Sequence, residues 1–205
     1  MAAVGDLGME NRQLTRLIER VQGGDTAALD ELVEQYQPRV YGFVAKMIGP
    51  GPDAEEITQE VFLRVVRTLD AYRHDGKFTA WIFRIAANLV RDRVRRRKRE
   101  NELFAAEPAG SEDGERDDPV SWAPDPRPAE DPLEKAEDIA GMQRALARLN
   151  PEEREAILLR HYSDLAFKEI AEVMGCPLGT VLARVHRGLK HLRALMEGKT
   201  HRSRA

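Results

Sequence analysis

Between Glu100 and Asp138 the chain carries 14 Asp/Glu against 3 Lys/Arg and holds Pro108, Pro119, Pro124, Pro126, Pro128 and Pro132. A stretch of that composition cannot bury enough apolar surface to offset the entropy of ordering it, and its like charges push it open. It reads as an acidic flexible linker that joins two helical domains. The net charge of −3 for all 205 residues hides this division. Residues 1–99 carry 17 Lys/Arg against 14 Asp/Glu, and residues 139–205 carry 12 against 7. Two mildly basic parts therefore flank a strongly acidic one. Phe104 and Trp122 are the linker's only aromatics and are read as docking points on a partner or as stray side chains.

Both flanking parts have helical periodicity and no alternating strand pattern, so the fold class is all-α. Leu14, Leu17, Ile18 and Val21 mark a first helix, which Gly23 and Gly24 end. Asp25 is placed to cap a second helix carrying Leu29, Leu32, Val33, Tyr36, Val40, Phe43, Val44 and Met47, with a bend or restart expected at Pro38. Gly49-Pro50-Gly51-Pro52 breaks the chain, and Asp53 is expected to open a third helix with core positions from Ile57 to Leu69. A polar loop over 70–77 leads to a further helix. Residues 11–99 thus read as one bundle of four or five helices.

The last helix of that bundle begins aromatic, at Phe78, Trp81 and Phe83, and ends almost purely basic. From Arg91 to Arg99 there are seven cations and one anion, Asp92. At 100° per residue Trp81, Arg84, Asn88, Arg91, Arg95 and Lys98 share a stripe, with Ile82, Ile85, Ala86 and Leu89 on other faces. Cations neutralise phosphates and flat side chains accept unstacked bases, so the stripe fits a nucleic acid with opened strands. One or two cations would suffice to complement a helix C-terminus.

Residues 139–197 read as a second helical domain. Two helices meet at Asn150-Pro151. A helix over 167–174 is followed by the turn Gly175-Cys176-Pro177 and a helix from Leu178 with apolar Val181, Val185, Leu189 and Leu192. That is the layout of a helix-turn-helix, with Thr180, Arg184, Arg187 and His191 on the other face as a groove-reading surface. Other chemistry is weak. The single cysteine, Cys176, excludes an internal disulfide and a Cys-cluster zinc site. His186 and His191 are five apart and share no face for a metal, and no nucleophile–base set or phosphate loop occurs. The reading is no enzyme, no metal and no cofactor. The absence of a leader pattern or long apolar segment gives a soluble, cytoplasmic chain without membrane insertion.

Three of these motifs together resemble bacterial RNA polymerase sigma factors of the extracytoplasmic-function (ECF) class. Asp53-Ala54-Glu55-Glu56-Ile57-Thr58-Gln59-Glu60-Val61-Phe62 is similar to the helix that docks on the polymerase β′ subunit. Phe78 to Asn88 resembles the promoter-melting segment, and Leu165 to Arg193 the helix-turn-helix for the −35 element. The resemblance implies an alternative sigma factor that binds core RNA polymerase (β and β′ subunits) and promoter DNA, with an anti-sigma factor as a further partner. It implies that Glu56, Gln59, Glu60, Phe62 and Val66 face the polymerase. Tyr72, Phe83 and Asn88 would hold a base flipped from the −10 strand, with Trp81 either in the core or flanking that pocket, and Arg84, Arg91 and Arg95 of the basic stripe would follow the strand. Thr180, Arg184, Arg187, Lys190 and His191 would meet the −35 duplex. Leu182 and Ala183 stand where the family often has a basic residue and a serine, and Ala166 at a usual Ser/Thr cap. The alternative reading is a stand-alone helix-turn-helix regulator acting on duplex DNA without polymerase.

Overall fold

A computed structural model describes residues 4–73, 75–105 and 141–200. Among these residues every element is helical. The first half is α1 (Val4–Gln22), α2 (Thr26–Ile48), α3 (Pro52–Thr68), a 3-10 turn (Leu69–Ala71) and α4 (Phe78–Ala105). The second half is α5, described over 141–147, then α6 (Pro151–Ser163), α7 (Phe167–Met174) and α8 (Leu178–Thr200). The linker expected over 100–138 falls mostly outside the described residues, as does Trp122, and Phe104 lies in α4 where only the backbone is described.

Local chemistry explains most of the helix ends. Asp25 takes an extended backbone and its carboxylate accepts the Ala28 N–H at 3.1 Å, while Arg20 pairs with it at 2.8 Å. The Ala28 amide first and Arg20 second hold this carboxyl below the usual range. Asn150 caps α6 by accepting from the Glu152 N–H at 3.0 Å, with Pro151 at the first helical position. Ala166 has no side-chain acceptor, yet Glu169 accepts the Ala166 N–H at 2.8 Å and supplies half of a capping box.

Two expectations at prolines need correction. α2 passes through Pro38 without a break. The lost backbone bond costs about 3 kcal/mol, but Leu32 and Tyr36 before it and Val40, Phe43, Val44 and Met47 after it are all buried on one face. Asp53 is not the cap of α3. The helix starts one residue earlier, with Gly51 at φ 128° as N-cap and Pro52 already in the first turn.

In the first half the core is aromatic. Tyr36 packs edge-on to Phe78 at 5.2 Å and Phe43 edge-on to Phe83 at 5.8 Å, and all four are fully buried. Leu159, Ile170 and Val181 centre the second half. The halves pack on each other, α6 against α2 and α7 against α4, so one continuous apolar cluster runs through both. At the seam α2 and α6 approach so closely that a Cβ at Gly42 would lie 2.3 Å from Tyr162 Cε1. Around that point Arg39 Nε donates to the Tyr162 carbonyl at 2.8 Å. Arg154, mostly buried, donates to the Met47 carbonyl at 3.1 Å, in the last turn of α2 where the helix end is negative. Lys77 and Glu172 pair at 3.2 Å across the outer edge.

Candidate functional site

The outer face of α3 follows from its period. Ile57, Val61, Val65 and Leu69 are buried, which leaves Glu56, Gln59, Leu63 and Val66 in an exposed row one turn apart. Phe62 is half-buried against the core. Glu56 pairs with Arg93 of α4 at 2.6 Å, and Glu60 with Arg64 at 2.8 Å. Leu63, about half exposed, is a surface residue that the motif match missed. Its signal was its position between Gln59 and Val66 on the same row.

A second surface begins at the 3-10 turn. Gln22, at the end of α1, donates from Nε2 to the Leu69 and Tyr72 carbonyls, both at 2.8 Å, and so fixes the loop that carries Tyr72. No motif or period in the sequence points to this role. Tyr72 lies 4.7 Å from Trp81, the rings tilted by only 31°, and 5.6 Å from Phe78. Burial pushes the Tyr72 phenol up to about 12. Tyr72 and Trp81 are both partly exposed, so the pair forms an aromatic ledge at the head of α4. Phe83 does not join it, because it is fully buried against Phe43 and has no free face.

Down α4 from the ledge, Arg84, Asn88 and Arg95 are exposed and Arg91 is half-buried, all on one stripe. Asn88 sits mid-helix, so it caps nothing. Its Oδ1 accepts from Arg91 Nη1 at 2.8 Å. Arg91 spends the rest of its fork on the second half of the chain. Nε and Nη2 donate to Glu155 of α6 at 3.2 and 2.7 Å, and Nη2 also donates to the Val173 carbonyl of α7 at 3.2 Å. Glu155 is 6% exposed, so this is a nearly buried carboxylate that needs its cation. Arg95 pairs with Asp92 at 2.9 Å on the open surface.

The third surface is the helix-turn-helix of α7 and α8. Gly175, at φ 65°, ends α7 in the left-handed region, and the Cys176 N–H returns to the Ala171 carbonyl at 3.1 Å. The Thr180 N–H then bonds to the Pro177 carbonyl at 2.9 Å, which starts α8. The polar face named from the sequence turns out to lean on α6. Arg184 is mostly buried and pairs with Glu152, while Arg187 (3.3 Å) and His191 (2.9 Å) share the buried Glu153. Thr180 is half-buried, and Lys190 is open to solvent. The sequence missed this because it shows which residues share a helix face, not which neighbour faces them. The exposed side of α8 instead carries Leu178, Leu182, His186, Leu189, Lys190 and Arg193.

Among the described residues no group of three or more His, Cys, Asp or Glu is placed to hold a metal, and no helix is long and apolar enough to cross a membrane. The chain matches the family model of Sigma-70 region 2 over residues 32–100, which spans α2 to α4. It matches that of Sigma-70, region 4 over residues 140–192, which spans the helix-turn-helix. It is 33% identical over 180 residues to the ECF RNA polymerase sigma factor SigW of Bacillus subtilis, covering 88% of this chain and 95% of that protein. It is also 33% identical to the ECF RNA polymerase sigma-E factor of Escherichia coli, over 83% of this chain and 87% of that one. In fold it is similar to the sigma factor RpoE of Bartonella quintana, solved in complex with the anti-sigma factor NepR, with a TM-score of 0.63 and 22% identity over 82% of this chain and 96% of that one. The chain belongs to the ECF RNA polymerase sigma factors and is an alternative sigma factor of transcription initiation.

Proposed function

We propose that this sigma factor works through three surfaces with separate tasks. The α3 row of Glu56, Gln59, Leu63 and Val66, with Glu60 and Phe62 beside it, docks on core RNA polymerase. The Tyr72–Trp81 ledge and the α4 stripe of Arg84, Asn88, Arg91 and Arg95 hold the opened −10 strand, and Phe78 supports the ledge from below. α8 lies on the −35 duplex, with Lys190 and Arg187 near phosphates. The chain carries out no reaction itself and acts in the cytoplasm. An anti-sigma factor holds it when it is not on polymerase, as with the relative solved in complex with NepR.

The observation that carries this reading is the ledge at the head of the basic helix. Opening a duplex costs about 1.4 kcal/mol per step, and a stacked base returns roughly 1–3 kcal/mol. One ledge cannot open a bubble alone, so the polymerase has to supply the remaining contacts. That requirement makes α3 as necessary as the DNA face.

The test is titration of core polymerase with wild type and with Leu63→Asp/Val66→Asp, beside run-off transcription. Both side chains are exposed, so the variant folds normally. It is expected to lose core binding and transcription together. Full core affinity in the folded variant would remove α3 from the interface. Tight promoter binding by the free chain would favour a regulator that works without polymerase.

A further inference from the structure

From Leu178 to Met196 α8 contains no Asp or Glu, and it carries Arg184, His186, Arg187, Lys190, His191 and Arg193. Its two long sides differ. Toward α6, the Glu152 and Glu153 carboxylates already engage Arg184, Arg187 and His191. On the opposite side Leu178, Leu182 and Leu189 recur at helical spacing and are 44%, 44% and 51% exposed. They are three of the seven large hydrophobic side chains left exposed among the described residues. His186, Lys190 and Arg193 surround them, all exposed. An apolar ridge with a cationic border and no carboxylate suits a polyanion that has an apolar group within reach.

Position along the helix selects one leucine. In a helix-turn-helix the N-terminal residues of the second helix meet base edges, and later turns leave the groove. Leu182 is the fifth residue of α8, one turn beyond the Gly175–Cys176–Pro177 bend, whereas Leu189 lies two turns further on. In the major groove every base edge but one presents hydrogen-bonding groups alone. The exception is thymine, with its 5-methyl group. A leucine can neither donate nor accept, so set against guanine or cytosine it leaves a desolvated polar group without a partner. The adjacent Ala183 cannot supply one either.

We infer that Leu182 is a specificity-determining residue that reads the 5-methyl group of a thymine in the −35 element. This rests on the assignment of α8 to the −35 duplex and adds which base the helix selects and by what contact.

Holoenzyme assembled from core polymerase and the full chain is used to select duplexes from a library randomised at −35. Each selected thymine is then replaced singly by deoxyuridine, which removes only the methyl. At one position wild-type affinity is expected to fall about fourfold, the equivalent of one buried methyl group. Leu182→Ala, at an exposed helix position, should bind thymine and deoxyuridine equally there. Leu182→Gln should shift the preferred base at that position to adenine, whose N6 and N7 match an amide. Equal affinity for thymine and deoxyuridine at every position in wild type would overturn the inference, as would discrimination retained by Leu182→Ala. Weakened holoenzyme assembly by Leu182→Ala with no methyl effect would assign the ridge to protein and overturn it too. Loss of the −35 assignment gives a different result: randomising the whole element would leave holoenzyme binding unchanged, and the inference would fall with it.

Discussion

Gly42→Ala sets two effects of opposite sign against each other. α2 gains about 1 kcal/mol of intrinsic helix propensity from the change. The new Cβ, however, would lie 2.3 Å from Tyr162 Cε1 and 3.0 Å from Cδ1 and Cζ, where ordinary carbon contacts need about 3.5 Å. The ring must retreat by more than an ångström. Tyr162 cannot do this by sliding its helix, because Arg39 holds its carbonyl and Arg154, two turns earlier on α6, is tied to Met47. Overpacking of this kind costs about 1–3 kcal/mol, which lowers the ratio of closed to open chain by roughly 5- to 150-fold. Separation of the halves also releases Arg91 from Glu155. Dyes on Arg67→Cys and Arg193→Cys, both exposed, in a Cys176→Ser background report the distance between α3 and α8. Anisotropy with a labelled single-stranded −10 oligonucleotide reports the α4 face. Lower energy transfer and tighter oligonucleotide binding by the free chain are expected. Unchanged transfer with a raised melting temperature would show that propensity alone was felt, and that the ring relaxes without parting the halves.

Three further outcomes follow from single side chains. Asn88→Ala removes one exposed mid-helix amide that accepts a hydrogen bond from Arg91, so the melting temperature should hold while promoter opening falls by roughly 1–3 kcal/mol. Permanganate reactivity of the bubble measures it, and a normal bubble would move the base contact elsewhere. Gln22→Ala loses two hydrogen bonds to the loop before α4 and should cost about 1–3 kcal/mol in thermal unfolding. In a Trp122→Phe background it should also shift Trp81 emission to the red, because the Tyr72 ledge loosens. Tyr72 should ionise near pH 12 by ultraviolet difference titration. Its folded value is raised, so the unfolded chain loses the proton first, and stability from this group is present below about pH 10 and lost as pH climbs toward 12.

The helices were legible because each depends on a local code. The Asp25 cap, the Gly23–Gly24 stop, the Asn150–Pro151 start and the Gly175 turn all act within a few residues, and a period of 3.6 assigns the buried face. Pro38 misled because local propensity was outweighed by burial on both sides of it. The α4 stripe was readable for the same periodic reason, down to Arg84, Asn88, Arg91 and Arg95 on one side. Phe83 was placed on the wrong layer because an aromatic in an aromatic run carries no mark that says core or ledge. Its contact with Phe43 joins residues 40 apart. Arg184, Arg187 and His191 show the same limit. They do share one side of α8, but the carboxylates opposite them on α6 lie 32 to 38 residues away, beyond any periodic signal.

The packing of the two halves was the least legible feature, and Arg91 shows why it matters for function. A guanidinium offers its donors in a fixed plane, and Glu155, Val173 and Asn88 already use Nε, Nη1 and Nη2. A phosphate oxygen would seek the same donors with the same geometry. The two partners therefore compete for one fork. Strand binding through Arg91 must first break the pair, which leaves Glu155 charged, nearly buried and in need of water. If α4 holds the −10 strand as proposed, the free chain binds it with the α4 affinity less the cost of parting α6 and α7 from α4. Any surface that holds the halves apart removes that cost without touching DNA. The α3 row lies on the first half and α8 on the second, so on the same proposal a partner that grips both at a fixed distance would raise strand affinity through separation alone.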